Sequence, residues 1–235
     1  MVKQQLDTII LAGGLGTRLQ TAVADLPKPL APVNGQPFLN YLLNHLRRAG
    51  IKRVVLATGH LHHKIEDYYG TSYHDLEIDY SMESEPLGTG GGIRKALTQT
   101  TTDEVLILNG DSFFDFDLQT IWRVHKLQQA DLTIALKPMQ NIARYGIVRT
   151  ESSRVISFEE KKPVEFGYIN TGVYLAQKNL FDGFNLPQNF SIEADFLKKY
   201  TRELQIHACI SNAYFIDIGI PEDYEKAQIE MRRYE

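Results

Sequence analysis

The sequence holds one cysteine, Cys209, so no disulfide can form within the chain and a reducing compartment suits it. It has no apolar run long enough for a membrane span or for the core of a secretory signal; the first such run, at residues 8–11, is far too short for either. Basic residues are not in excess: 25 Lys and Arg stand against 29 Asp and Glu, for a formal net charge of −4. That argues against a nucleic-acid surface, which needs clustered cations to neutralise phosphates. No linker, low-complexity tract or internal repeat breaks the chain. These absences leave a cytoplasmic globular enzyme of small molecules, with neither nucleic acid nor membrane as partner. The 235 residues suffice for an α/β unit with a substantial core.

Familiar site signatures are missing too. No G-x-x-x-x-G-K-[ST] string follows a strand, and Gly14-Leu15-Gly16 is followed by Leu19 where a dinucleotide fingerprint needs its third glycine. No G-x-S-x-G elbow offers a nucleophilic serine. His60, His62 and His63 lie close together, but no cysteine or carboxylate sits nearby at zinc-ligand spacing, so a solvated helix start accounts for them.

What is present begins with residues 8–11, which read as a buried strand emptying into Leu11-Ala12-Gly13-Gly14-Leu15-Gly16-Thr17-Arg18-Leu19, with Pro27-Lys28-Pro29-Leu30 close behind. Glycines let backbone amides approach an anion, and Arg18 and Lys28 supply cations that can close on a polyphosphate. A plain turn between two elements is the competing reading of the glycines alone.

Further strands are expected at 54–57, 76–82, 105–108 and 132–136, and helices at 37–49, 61–69 and 118–129. A second glycine-rich stretch at 83–93 opens another helix. Continuous apolar strands alternating with helices imply an α/β fold with a doubly wound, mostly parallel sheet covered on both faces. From about residue 145 the strands shorten (146–149, 155–158, 168–175). A helix at 192–200 with Ser191 as N-cap, strands at 206–209 and 214–216, and a last helix from Pro221 follow. This part is expected to form a smaller lid region. One domain, 1–235, would then divide into a nucleotide-binding part at 1–140 and a second-substrate part at 141–235.

Ligands of such sheets bind beyond the carboxyl ends of the strands. The Gly13 loop, the Gly88 loop and Asn109-Gly110-Asp111 all occupy such ends. Asp111 is placed to hold Mg²⁺, which favours one or two carboxylates plus phosphate oxygens; a turn aspartate after a strand is the plainer alternative.

The string L-A-G-G-x-G-T-R-L followed by P-K-P-L resembles the opening of the sugar-1-phosphate nucleotidyltransferases, which join a nucleoside triphosphate to a sugar 1-phosphate and release pyrophosphate. The resemblance extends over almost the whole chain and implies a Rossmann-like mixed sheet. It also implies nucleotide contacts from Leu11, Ala12, Gly13, Gly14, Gly16, Thr17, Asn109 and Gly110. Arg18 would hold the departing phosphates and Lys28 the α-phosphate. Asp217, in Phe215-Ile216-Asp217-Ile218-Gly219-Ile220-Pro221-Glu222-Asp223-Tyr224, is similar to the aspartate of the family's D-x-G-T-P-x-D-Y, although Ile220 replaces the threonine. It would share Mg²⁺ with Asp111.

Glu83, Glu85, Pro86, Gly88 and Thr89 resemble the family's base-binding segment. A carboxylate there can accept both N1–H and N2–H₂ of guanine, whereas thymine and uracil offer one donor on that edge. Phe158-Glu159-Glu160-Lys161 resembles F-x-E-K, which implies that Glu160 meets sugar hydroxyls and Lys161 the sugar phosphate. Gly146, Asn170 and Thr171 fall in stretches similar to those lining the sugar pocket. Ser191-Ile192-Glu193 matches a further family stretch, but helix capping and first-turn charge account for it. Within the family, E-P-L-G-T-G-G, the D-I-G-x-P-E-D-Y ending and the short chain most resemble the guanylyltransferases of D-glycero-α-D-manno-heptose 1-phosphate, which supply GDP-heptose for bacterial surface polysaccharides. Mannose, glucose or N-acetylmuramate 1-phosphate with GTP, dTTP or UTP are alternatives within the class. A non-catalytic nucleotide-sugar sensor, or a glycosyltransferase with its metal on Asp115-Phe116-Asp117, are the readings outside it. Family members are often dimers or larger, which admits a homodimer.

Overall fold

The computed structural model describes residues 6–14 and 26–234. In chain order the first half comprises β1 (Asp7–Leu11), a 3₁₀ turn at Lys28–Leu30, β2 (Pro32–Val33), β3 (Gln36–Pro37), α1 (Phe38–Arg48), β4 (Arg53–Thr58) and α2 (His62–Tyr69). It continues with β5 (Ser72–Tyr73), β6 (Leu76–Met82), α3 (Gly88–Leu97), β7 (Glu104–Asn109), β8 (Ser112–Phe114) and α4 (Leu118–Leu127). The second half comprises β9 (Leu132–Ile142), β10 (Ile147–Glu151), β11 (Arg154–Glu159) and β12 (Val164–Gln177). A π-helical turn at Ile192–Leu197 then runs into α5 (Lys198–Tyr200), followed by β13 (Ile206–Ile210), β14 (Phe215–Asp217) and α6 (Pro221–Glu230).

β1, β4 and β7 are apolar on both sides because helices cover both sides, whereas β6 alternates. On one, Ile10, Val54 and Leu56 meet Leu39, Leu42, Leu43 and Leu46, which recur at helical spacing along α1. On the other, Ile9, Val55 and Ile107 meet Ile93, Ala96 and Leu97 of α3. Each buried Val, Leu or Ile among these contributes about 1.5–3 kcal/mol by leaving water. The strands pair in parallel in the order β7-β1-β4-β6.

The second half extends this sheet, whose full order is β10-β11-β13-β9-β12-β7-β1-β4-β6-β5. β12 is antiparallel to β7 and to β9, and β13 is parallel to β9. β10 also pairs with β12, and β11 touches β13 at Arg154↔His207, so five strands form a closed ring of pairings beside the parallel centre. β9 and β12 reach farther than the apolar runs at 132–136 and 168–175, because their outer ends belong to this ring. β2, β3, β5 and β8 are two or three residues long and too short for a periodicity to announce them. No described helix is long and apolar enough to cross a membrane.

His125 of α4 is 1% exposed and sits between α4, β9 and β12. The Gln177 amide donates to its Nε2 at 3.2 Å, so Nδ1 carries the proton and donates to Thr133 Oγ1 at 3.0 Å. A second ring proton would face the Gln177 amide donor, and burial lowers the pKa to about 4. A lowered histidine pKa gives stability that is full above the unfolded value of about 6.5. That stability is lost as pH falls towards 4, because only the unfolded chain takes up the proton over this window. His125→Gln is therefore expected to lose less melting temperature than the native protein between pH 7 and pH 5, read by thermal denaturation. Equal losses would remove His125 as the source.

Candidate active site

The chain leaves β1 towards β4 on one side and later returns to β7 on the other, so strand order reverses between β1 and β7. Their carboxyl ends open a crevice there. Ala12 N–H donates to Ala57 O at 2.8 Å and Gly110 N–H to Leu11 O at 2.9 Å, which fixes both loops against the sheet. The crevice is a pocket of about 540 Å³, the size of a small-molecule site. Leu11, Ala12 and Gly14 line one side, with Asn109, Gly110 and Asp111 beside them.

Two distant carboxylates meet here. β8 follows Asp111 directly and pairs antiparallel with β14, setting Asp217 opposite Ser112. Ile218 N–H donates to Asp111 O at 2.9 Å, and Gly219 N–H donates to Asp217 Oδ1 at 2.7 Å. Phe113, Phe114 and Ile216 bury this small ribbon in the core, so a hydrophobic pairing carries the two acids together. Lys28, from its 3₁₀ turn, donates to Asp111 Oδ2 at 2.9 Å. Burial and the Asp111 charge raise the Asp217 pKa, against the lowering effects of the Gly219 N–H and Lys28. Tyr145 closes this end; burial pushes its hydroxyl up to about 12, and the Asp217 charge adds to that. Arg144, beside that ring, holds the buried Asp223 of α6 at 2.8 Å.

The strand ring supplies the opposite wall. Gly146 precedes β10, Glu160 and Lys161 follow β11, and Asn170 and Thr171 lie on β12; all five line the pocket. The Thr171 carbonyl accepts from Ser112 Oγ at 3.2 Å, tying this wall to the carboxylate end. Glu160 pairs with Lys198 of α5 at 2.5 Å, which lowers its pKa.

The glycines of α3 serve packing as much as ligand approach. A side chain at Gly90 would enter the Phe190 ring, and one at Gly92 would come within 2.5 Å of Glu83 Oε1. Gly90 N–H donates to Phe190 O at 2.9 Å, so this end of α3 is capped by the segment at 187–190. Thr89 lines the pocket and accepts from Ile192 N–H at 3.0 Å. Glu83 Oε2 accepts from Leu87 N–H at 3.0 Å, and burial raises its pKa.

Of the residues singled out in the sequence, the pocket thus gathers Leu11, Ala12, Gly14, Lys28, Thr89, Asn109, Gly110, Asp111, Gly146, Glu160, Lys161, Asn170, Thr171 and Asp217. Gly13, Glu83, Glu85, Pro86 and Gly88 are not among its lining: Gly13 backs onto Gly59, Glu83 folds onto α3, and Glu85 and Pro86 are exposed. Gly16, Thr17 and Arg18 lie outside the described residues. Sequence reasoning passed over Ser112 and Lys198, whose role depends on pairings no local pattern announces, and set Glu193 aside as a capping charge. The D-x-D spelling at Asp115 and Asp117 serves structure: Asp117 caps α4 through Gln119 N–H at 3.0 Å, and Asp115 accepts from Tyr234 at 3.2 Å. Among the described residues no group of three or more His, Cys, Asp or Glu is arranged to hold a metal, and His62 pairs with Glu66 at 3.0 Å.

A crevice at a switch in strand order, with a lysine against paired carboxylates and a polar wall beyond, suits an α/β enzyme of small anionic ligands. More narrowly, the chain belongs to the nucleotidyl transferase family, whose model matches residues 7–233. It is 50% identical over 97% of its length to the whole of a D-glycero-α-D-manno-heptose 1-phosphate guanylyltransferase from Aneurinibacillus thermoaerophilus. It is 45% identical over 93% of its length to 97% of the enzyme of that name from Campylobacter jejuni. The crystal structure of HddC from Yersinia pseudotuberculosis complexed with GMP-PN superimposes with a TM-score of 0.86 at 35% identity, covering 97% of this chain and all of that one.

Proposed function

We propose that this nucleotidyltransferase moves a guanylyl group from GTP to D-glycero-α-D-manno-heptose 1-phosphate, giving GDP-heptose and pyrophosphate in the cytoplasm for surface polysaccharide. The observation that carries the reading is the continuity of one pocket from Lys28, Asp111 and Asp217 to Lys161, Asn170 and Glu160. Such a pocket can hold a nucleotide phosphate and a phosphorylated sugar side by side. The 50% identity with a heptose 1-phosphate guanylyltransferase, over 97% of this chain and the whole of that enzyme, supports the choice of substrates.

The sugar phosphate oxygen attacks the α-phosphorus in line as pyrophosphate departs. A phosphate monoester with second pKa near ~6 is already largely dianionic at neutral pH, so no general base is needed. The protein's work is alignment and charge stabilisation. Lys28 neutralises the α-phosphate, Arg18 and the Gly13 loop hold the leaving phosphates, and Lys161 brings in the nucleophile. Glu160, Gly146, Asn170 and Thr171 orient the sugar.

Asp111 and Asp217 suit Mg²⁺ by donor chemistry: both are hard oxygen ligands, and the Asp111 charge, after burial, raises the Asp217 pKa, a repulsion that a divalent cation relieves. Bound there, Mg²⁺ would supply charge neutralisation on phosphate oxygens.

The test is pyrophosphate release with Mg²⁺, crossing GTP, ATP, UTP, dTTP and CTP against heptose, mannose, glucose and N-acetylmuramate 1-phosphates. The GTP–heptose pair is expected to dominate. Dominance of another pair would move the substrate within the class, and binding of nucleotide sugar without turnover would favour a sensor.

A further inference from the structure

We infer that Glu193 is a specificity-determining acceptor for a hydroxyl of the sugar, held in position by Tyr174; this rests on the sugar 1-phosphate reading above. Glu193 follows a helix-capping serine, and a capping role would be its plain explanation. The structure assigns that role to a neighbour. Ser191 Oγ accepts from Ala194 N–H at 3.2 Å, and the reciprocal bond, from Ser191 N–H, goes to Asp195 Oδ2 at 2.7 Å. Glu193 instead crosses to β12, where its Oε1 accepts from Asn170 Nδ2 at 2.8 Å and from the Tyr174 hydroxyl at 3.0 Å. Asn170 also donates to the Tyr174 hydroxyl at 2.6 Å, and its Oδ1 accepts from Gly172 N–H at 2.9 Å. Both bonds to Glu193 fall on Oε1; among the described residues none falls on Oε2.

Tyr174 is fully buried while Glu193 is exposed to the pocket. Burial raises the Tyr174 pKa far above that of an ordinary phenol, so the hydroxyl keeps its proton and stays a donor. A buried phenol thus fixes a carboxylate at the pocket wall, while the backbone around it takes a π-helical form, a local departure frequent at functional sites. The class of ligand follows from charge. A further carboxylate on this wall repels phosphate; of the pocket's cations, Lys28 and Lys161 lie on other elements, and Lys198, on the adjoining α5, is taken up by Glu160 at 2.5 Å. A neutral polyol carries O–H donors, and an ionised carboxylate accepts those strongly.

The experiment measures initial rates of pyrophosphate release with GTP and heptose 1-phosphate varied in turn. Losing a hydrogen bond to a charged group, Glu193→Gln is expected to raise the sugar KM roughly 10–100-fold and leave the GTP KM unchanged. Tyr174→Phe keeps the buried ring and is expected to raise the sugar KM by a smaller factor. As the two act as a unit, the double variant should be no worse than Glu193→Gln alone. An unchanged sugar KM in Glu193→Gln, in a preparation whose native enzyme turns over the heptose, overturns the assignment. Additive losses in the double variant would overturn the positioning role of Tyr174. A native enzyme silent with every sugar 1-phosphate would instead overturn the functional reading on which both rest. Because Glu193 is exposed, its variant should melt with the native protein.

Discussion

Replacing Asp111 with asparagine is expected to lower kcat by about a thousandfold or more, the scale of losing a pre-organised charge at a reacting phosphate. The substitution keeps the side chain's size and its place after β7 and removes its charge. Lys28 then loses its 2.9 Å partner, and Asp217 loses the like charge that, after burial, raises its pKa. The Lys28–Asp111 pair is part-exposed at 18% and 36%, so its loss should cost less than ~1 kcal/mol and leave a cooperative melt. Pyrophosphate release and thermal denaturation on one preparation separate the two effects. Asp217→Asn should match the kinetic loss. Native-like turnover in Asp111→Asn would remove that carboxylate from the reaction.

The parts of this site that sequence could reach are those with a local cause. Gly13, Gly14 and Asn109-Gly110-Asp111 follow apolar runs, and a run ending in glycine marks a strand emptying into a loop. β6 occupies 76–82 as its alternation implies, and Pro221 opens α6 at the first helical position. Asp111 and Asp217 are different: 106 positions apart, they meet through β8 and β14, three residues each, where no periodicity can develop. Their pairing was legible only through resemblance. The same holds for the strand ring, since β11 joins β13 through a single residue pair, Arg154 and His207.

Glu193 illustrates the opposite failure, in which a local rule hid a distant contact. Ser191 does cap the turn that follows, but the reciprocal carboxylate is Asp195, at a spacing one residue beyond Glu at the third helical position. The glycine run at 90–92 misleads in a related way. It reads as a ligand loop, yet Gly90 makes room for Phe190, and Phe190 O takes the amide. Packing between α3 and the 187–190 segment demands glycine there before any ligand does.

Guanine preference should depend on one of the two glutamates before α3. Glu83 is fixed: Oε2 takes the Leu87 N–H, and Oε1 lies against Gly92 close to Leu11, which lines the pocket. Glu85 is exposed, and no described hydrogen bond or ion pair orients it. As the bidentate acceptor proposed for N1–H and N2–H₂ of guanine, a carboxylate needs a set orientation, which only Glu83 has. Glu83→Gln replaces one acceptor oxygen by a donor and is expected to reduce the ratio of kcat/KM for GTP over UTP roughly 10–100-fold, whereas Glu85→Gln should leave it unchanged. Gly92→Ala tests the same point without touching the carboxylate chemically. Its new Cβ would stand 2.5 Å from Glu83 Oε1, a flexible end that can swing away, so the fold should survive while the preference falls with that of Glu83→Gln. A ratio that holds in both variants would mean that the base is read elsewhere.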